Sequence, residues 1–293
     1  MTKEYALEPS AKRWGRATVL GLGLGLGLVL AALRPVGAAG PAADVVAQAT
    51  DARPCALGMV HQAPALRTAA LKTVAAPWGR VRLTYRGHSA FLIETPGGAS
   101  AVTDYNGVHV PINPPDIVTM NNSHSTHYTD VVDPAIRFVL RGWDPAGGIA
   151  EHDIEWLDLR VFNVPTNVFD GANGLTNGNS IFVFQAAGIC LAHLGHLHHF
   201  LGPNQRQRLG RIDVLFVPID GTSTMSHDEA LNVIEQISPR LIVPMHFHFP
   251  GAAAAFTERV QGLYAVKSLD SPTLEVSRRT LPATTEVVFL RPY

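Results

Sequence analysis

Short histidine clusters lie at the ends of apolar, strand-like segments, and this pattern constrains the fold more than any other feature of the chain. Eight of the thirteen histidines belong to these clusters: His124, His127, His193, His196, His198, His199, His246 and His248. The apolar segments end at Met120, Leu194 and Met245. In layered α/β proteins, functional side chains gather where strands end, because rigid strands hold them and loops leave them open. The sequence therefore predicts a functional site at these strand ends.

The histidine clusters favour a metal site over other kinds of catalytic centre. Imidazole is the commonest metal ligand in proteins, and a site needs several donors that converge from different parts of the fold. A single histidine in one cluster would more often be an ordinary surface or core residue. No G-x-S-x-G nucleophile motif occurs, and the chain beyond residue 39 has no G-x-G-x-x-G or Walker A loop.

The first 39 residues have the pattern of an export signal. Basic residues precede an apolar, uncharged stretch at residues 17–33, and small residues through Ala39 provide a cleavage motif. Lys12-Arg13 before the glycine-rich stretch is weakly similar to a twin-arginine signal, and an uncleaved membrane anchor is the alternative. We predict a periplasmic or secreted protein, with membrane anchoring as the alternative.

The remaining sequence divides into two parts. Residues 40–77 form an extension rich in alanine and proline, with one plausible helix at residues 64–74, and residues 78–293 form the main domain. Only Cys55 and Cys190 are present. In an oxidising compartment they could form a disulfide that ties the extension to the domain, or Cys190 could be an ordinary buried thiol. Both alternatives stay open.

Composition limits the classes of partner. Apolar residues make up 46% of the chain and charged residues 16%, so a large core can be buried. The formal net charge is −1, with no basic run beyond the N-terminus, which argues against nucleic-acid binding. We expect a small-molecule substrate.

Apolar and β-branched runs predict the strands of the main domain. They lie at residues 81–85, 90–94, 101–103, 116–120, 160–164, 180–186, 188–194, 213–218, 241–245 and 285–290, the last as an edge strand. A helix is predicted at residues 227–237, because Ser226 is a suitable N-cap and Glu229 completes a capping box.

These segments resemble the metallo-β-lactamase superfamily, in particular its lactonase-like and phospholipase-D-like branch. The similarity is carried by LTYRGHSAFLIE at residues 83–94, Thr103-Asp104, PDIV at residues 115–118 and VPMHF at residues 243–247. The resemblance covers roughly residues 80–290. It implies an α/β fold, a four-layer αββα sandwich in which helices flank two mixed β-sheets, with the site between the sheet edges.

The family signature H-x-H-x-D-H is altered in this chain. It falls on residues 122–127, where His124 and His127 keep the second and third histidines. Asn122 stands in place of the first histidine of the signature, and Thr126 stands in place of its aspartate. Further along the chain, Asn167 replaces another family histidine, and His196 replaces the bridging aspartate. His246 keeps the last ligand position.

The resemblance implies two metal sites, and the substitutions affect them differently. One site would depend on Asn122 and Asn167, and amide oxygens are poor zinc ligands beside imidazole. The other retains three imidazoles, from His127, His196 and His246, which would give tetrahedral Zn²⁺ with an open position. The loss of carboxylates favours zinc over manganese. We expect one zinc ion rather than two, and a relative without metal is the alternative.

The other site residues receive supporting roles from the same resemblance. His124 is expected to be a fourth ligand or the catalytic base, and Asp104 to orient a ligand histidine. Asn122, Thr126, Asn167 and His248 are expected to surround the site. His88, which follows the turn at Gly87, is assigned a structural role, with lining of the pocket as the alternative.

The leading functional hypothesis is an exported, metal-dependent hydrolase. It would act on an ester, a lactone or a phosphodiester through a metal-bound water. The alternative is a catalytically degenerate envelope protein that uses the fold to bind a ligand or partner.

Overall fold

Two β-sheets form a sandwich in the computed structural model, which describes residues 75–168, 176–247 and 250–292. In chain order the strands are β1 Val81–Gly87, β2 Ala90–Glu94, β3 Ser100–Val102, β4 Ile117–Met120, β5 Phe138–Arg141, β6 Asp153–Trp156, β7 Leu159–Thr166, β8 Asn179–Ala186, β9 Ile189–His193, β10 Val214–Pro218, β11 Leu241–Met245, β12 Ala265–Leu269, β13 Thr273–Val276 and β14 Glu286–Leu290. The two sheets have six and eight strands.

Both sheets are mixed, as expected. The six-stranded sheet has the order β13-β1-β2-β3-β4-β5, and its β3, β4 and β5 are parallel. The eight-stranded sheet has the order β12-β14-β11-β10-β9-β8-β7-β6, with β9 to β12 and β14 in its parallel part. Parallel strands end at the same edge of their sheet, and the Asn121 side chain after β4 donates to the His193 carbonyl at the end of β9. The loops after β3, β4, β9, β10 and β11 therefore lie at one end of the sandwich.

The core fills the space between the sheets. Leu83 and Phe91 of the six-stranded sheet belong to the same buried cluster as Phe184 and Phe216 of the eight-stranded sheet. Alternate residues of β10, such as Leu215, belong instead to a second cluster on the outer face of the eight-stranded sheet. Burial on both faces explains why this strand is continuously apolar.

Three helices cover that outer face: α1 Pro203–Leu209, α2 His227–Ile237 and α3 Pro250–Val260. The prediction for α2 is confirmed, because the Ser226 side chain accepts from the Glu229 backbone and the Glu229 carboxylate bonds back to Ser226. In the part of the chain that the structure describes, loops rather than helices cover the outer face of the six-stranded sheet. Tyr105 and Ile136 pack there. The family resemblance had implied helices on both faces.

The structure corrects one of the segment predictions, and several others concern residues outside the described part of the chain. Residues 285–290 do form a strand, but β14 lies between β12 and β11 rather than at the sheet edge. Cys190 is buried and disulfide-bonded, in agreement with the disulfide alternative, while Cys55 lies outside the described residues. The predicted signal segment and the helix at 64–74 also lie outside them. None of the described helices is long and apolar enough to cross a bilayer.

Candidate metal centre

The tip of the β1–β2 hairpin brings His88 into the site. His88 occupies the left-handed region with φ of 52°, directly after Gly87. Its carbonyl oxygen accepts two hydrogen bonds, one from the Tyr85 hydroxyl at 2.9 Å and one from the His246 backbone N–H at 2.9 Å. These bonds fix the hairpin tip against the end of β11. The His88 and His246 rings consequently lie with centroids 4.3 Å apart.

His127 is held by a buried carboxylate. Its Nδ1 lies 2.7 Å from Asp104 Oδ2, and both side chains are completely buried. Asp104 accepts a second hydrogen bond from the Asn121 backbone N–H at 3.1 Å, which ties the end of β3 to the end of β4. Among the described residues no group bonds the buried Nε2 of His127. A buried imidazole nitrogen with this geometry is suited to a metal ion.

His246 has a comparable carboxylate partner in Asp220. The His246 Nδ1 lies 3.1 Å from Asp220 Oδ1, and both side chains are almost completely buried. Asp220 Oδ2 also accepts the backbone N–H groups of Thr222, Ser223 and Thr224. Because the turn after β10 holds Asp220 so firmly, it holds the His246 ring as well.

Ligand atoms of His88, His127 and His246 lie within 4.8 Å of one another. Zn–N bonds of about 2.0–2.1 Å place two ligand nitrogens at most about 4.2 Å apart, so small ring movements would bring all three onto one ion. Backbone strain concentrates here too, because Asp104 and His246 have φ of 44° and 56° in addition to His88. Non-glycine residues held in this region recur at functional sites.

His196 and His124 stand beside this triad. The His196 ring lies 4.8 Å from the His127 ring and is parallel to the His124 ring, with centroids 5.8 Å apart. His196 Nδ1 is buried, with no hydrogen-bond partner in the described part of the chain. His124 is exposed, and its Nδ1 lies 2.9 Å from Thr126 Oγ1. Five imidazoles therefore converge on one region between the sheet edges.

Burial and mutual repulsion decide the charge of these groups. Burial lowers the pKa of His196 to about 3, assisted by His127, His198 and His246. Burial, together with His127 and His246, also lowers the pKa of His124. Burial of Asp104 opposes its ionisation, but attraction to His127 and His193 outweighs it and holds the pKa at about 2. At neutral pH the cluster thus contains anionic Asp104 and a neutral His196 able to bind a cation.

The predicted supporting residues mostly build loops around the cluster. The Asn122 side chain accepts the His124 backbone N–H and donates to the Gly178 carbonyl. Asn167 instead joins neighbouring loops, because its side chain accepts the Asn177 N–H. His248 lies outside the described residues.

Sequence reasoning missed Asp220 altogether and gave His88 a structural role. A signal existed for both. Asp220 is the first polar residue after β10, an apolar strand that lies between β9 and β11. Both of those strands are followed by candidate ligand histidines. Gly221-Thr222-Ser223, directly after Asp220, marks a tight turn. His88 follows Gly87 in a hairpin turn, where a histidine is unusual.

Asn179 connects the β8 start to the His196 loop and is completely buried. Its Nδ2 donates to Thr166 Oγ1 at 2.7 Å and to the Leu194 carbonyl at 3.2 Å, and its Oδ1 accepts the His196 N–H at 2.9 Å. This packing leaves no room for a side chain at Gly195, where a Cβ would lie 2.7 Å from Asn179 Oδ1.

We expect Asn179→Ala to lower the free energy of unfolding by about 3 kcal/mol, because unsatisfied buried polar groups each cost about 1–3 kcal/mol. Urea unfolding of the metal-free protein would measure this loss. The exposed Asn204→Ala provides the control and should change little. Equal effects of the two variants would contradict the role given to Asn179.

Comparison with known proteins supplies the family. A family model described as a beta-lactamase superfamily domain matches residues 82–246. A UPF0173 protein of Pyrococcus abyssi is 25% identical over 195 residues, which cover 62% of this chain and 91% of the relative. A UPF0173 metal-dependent hydrolase of Pyrococcus furiosus is 28% identical over 219 residues, covering 64% and 94%. A crystal structure from Thermotoga maritima, assigned to Zn-dependent hydrolases of the metallo-beta-lactamase superfamily, has 25% identity and a TM-score of 0.56, covering 73% of this chain and 100% of that one.

Proposed function

Because this chain belongs to the metallo-β-lactamase superfamily, we propose that it is a metal-dependent hydrolase that binds one zinc ion. The observation that carries the proposal is the convergence of His88, His127 and His246, whose ligand atoms lie within 4.8 Å of one another. The relatives named as metal-dependent hydrolases support the same class of activity. Esters, lactones and phosphodiesters are the candidate substrates, and the signal-like pattern of residues 1–39 supports action outside the cytoplasm.

The donor set fits zinc. Asp104 and Asp220 contact the Nδ1 atoms of His127 and His246, which leaves the Nε2 atom of each ring as the metal-binding nitrogen. Neutral imidazoles without carboxylate donors suit zinc better than magnesium, calcium or manganese. When bound, the ion would lower the pKa of a water ligand towards about 7 and polarise the scissile carbonyl or phosphoryl group.

The remaining imidazoles have roles in substrate binding and proton transfer. His124 is exposed at the open side of the cluster, and its contact with Thr126 fixes its ring. We assign His124 to accept and return a proton during hydrolysis. His196 lies beside both His124 and His127, so it can act as a fourth ligand or orient the reacting group.

Metal analysis and turnover of the same samples test this proposal. The zinc-loaded wild type should contain about one ion per chain and hydrolyse p-nitrophenyl esters or bis(p-nitrophenyl) phosphate. The double variant His127→Ala, His246→Ala should lose both properties, because it removes the two carboxylate-oriented ligands. His152→Ala is the matched control, since His152 lies outside the cluster and bonds the Arg141 carbonyl.

Negligible metal in both the wild type and the double variant would contradict the proposal. A second candidate, a ligand-binding protein without catalysis, is favoured by the replacement of family ligands at Asn122, Thr126 and Asn167. Stoichiometric zinc that raises the melting temperature, combined with no turnover of any substrate, would support that candidate instead.

A further inference from the structure

In the described part of the chain, the loops that begin or end at the site end of the sandwich carry no Lys or Arg. They comprise residues 87–89, 103–115, 121–136, 142–152, 167–168, 176–178, 194–202, 219–226 and 246–247. The same segments contain six acidic residues, Asp104, Asp130, Asp133, Asp144, Glu151 and Asp220. An enzyme for anionic substrates normally lines its site with cations, because they attract the substrate and stabilise its charge. This end of the molecule has the opposite character.

The two arginines at strand ends nearest these loops are each bonded to a loop residue. Arg141 pairs with Asp130 at 2.8 Å, so its charge is matched. Tyr85 points into the core, so the next residue of the strand, Arg86, has its side chain on the outer face of the six-stranded sheet. The Arg86 side chain donates to the Val110 carbonyl at 2.8 Å.

The charges inside the centre also balance. Asp104 and Asp220 are buried against His127 and His246 and bring two negative charges. A divalent zinc ion would bring two positive charges, so no net positive charge would remain for a phosphate or carboxylate group of the substrate.

Exposed apolar side chains lie on these same loops. Val108, Ile112 and Val131 are 76%, 91% and 85% exposed, and they follow Asp104 and His127 along the chain. The Asn106 side chain donates to the Thr126 carbonyl at 2.9 Å, which joins the two loops that carry them. Phe200, beyond His196, is half-exposed on another loop at this end. Large apolar side chains around a concave site commonly mark the binding surface for an apolar group.

We infer that the substrate is an uncharged carboxylic ester or lactone with an apolar acyl group, and not a phosphodiester. The inference deepens the proposed hydrolase function and rests on it. The acyl group would lie against Val108, Ile112 and Val131 while the carbonyl reaches the histidine cluster. Hydrolysis would add water across the acyl C–O bond and release a carboxylic acid and an alcohol, or one hydroxy acid from a lactone.

Matched substrates for the zinc-loaded full chain test the inference. We expect kcat/KM for p-nitrophenyl hexanoate to exceed that for the acetate by at least about tenfold, because each buried CH₂ contributes favourably to binding. p-Nitrophenyl hemisuccinate, which carries a charged acyl group, should be at least about tenfold poorer than the butyrate, and bis(p-nitrophenyl) phosphate poorer still. Ile112→Ser and Val131→Ser should each reduce the ratio of kcat/KM for hexanoate to kcat/KM for acetate. Leu263→Ser, an exposed apolar residue between α3 and β12, should change neither.

A preference for the phosphodiester or the hemisuccinate, or rates independent of acyl length, would overturn the inference. If no substrate is hydrolysed, the proposed activity fails, and binding then decides the ligand class separately. Calorimetric titration of the zinc-loaded protein with hexanamide and with succinamate distinguishes the cases. Tighter binding of hexanamide sustains the uncharged, apolar class, whereas equal or weaker binding overturns it.

Discussion

Replacing His88 by alanine is expected to lower the affinity for zinc by more than about 100-fold, a larger loss than His196→Ala should produce. Structural zinc sites bind their ion with about 10–16 kcal/mol, so one lost ligand removes several kcal/mol. The reason to rank His88 first is geometric. His88 shares a set of donors within 4.8 Å with His127 and His246, whereas the sequence pattern had assigned that third position to His196.

Competition between the protein and a chromophoric zinc chelator would measure both affinities. His88→Ala alters a residue with φ of 52°, so the melting temperature of each metal-free variant must be compared first. His88→Asn is a useful second variant, because asparagine tolerates the left-handed region better than alanine and lacks the imidazole. If His196→Ala weakens zinc binding more than both His88 variants, the ligand set is the one predicted from sequence, His127, His196 and His246.

The strands that were predicted correctly share one property. The strands at residues 90–94 and 241–245 begin and end at the predicted residues, and both consist largely of buried residues. Among the strands that were not predicted, β12, Ala265–Leu269, has no fully buried residue, and its central Lys267 pairs with Glu286. Because β12 had no apolar signal, residues 285–290 were assigned to the sheet edge. Hydrophobic patterning detects strands through burial, and an exposed edge strand carries little of it.

The site residues that directly follow strands could be predicted from the sequence. Those that reach the site through long-range contacts could not. His127 and His246 follow β4 and β11, so their position after apolar segments identified them. His88 joins the group because its carbonyl accepts the His246 backbone N–H, a contact between residues more than 150 positions apart. Local sequence carries no information on that pairing. For Asp220, the position after β10 indicates a place in the site loops, but no neighbouring residue specifies that its carboxylate contacts His246.

Replacing the buried carboxylates by amides should weaken zinc binding through the tautomer of their histidines. Asp104 can only accept from the Nδ1–H of His127, which leaves Nε2 unprotonated and able to bind the ion. In Asp104→Asn the amide N–H can donate to Nδ1, and the ring proton then moves to Nε2. Loss of such partners commonly reduces metal affinity by about 10–100-fold. Asp104→Asn should have the larger effect of the two, because its contact is shorter than that of Asp220, 2.7 Å against 3.1 Å.

The chelator competition described for His88 would measure this effect, with Asp158→Asn as the control, because Asp158 bonds Thr95 and Gly97 away from the histidines.

Acid unfolding provides a readout that separates the carboxylate from a merely structural role. The pKa of Asp104 falls from its ordinary value to about 2 on folding, so its contribution to stability is present above about pH 4 and is lost as the pH falls towards 2. The metal-free wild type should therefore exceed Asp104→Asn in stability at pH 6, and the difference should shrink between pH 4 and 2. Unchanged zinc affinity in Asp104→Asn, with a stability difference that does not depend on pH, would show that Asp104 neither orients His127 nor carries a charge in the folded protein.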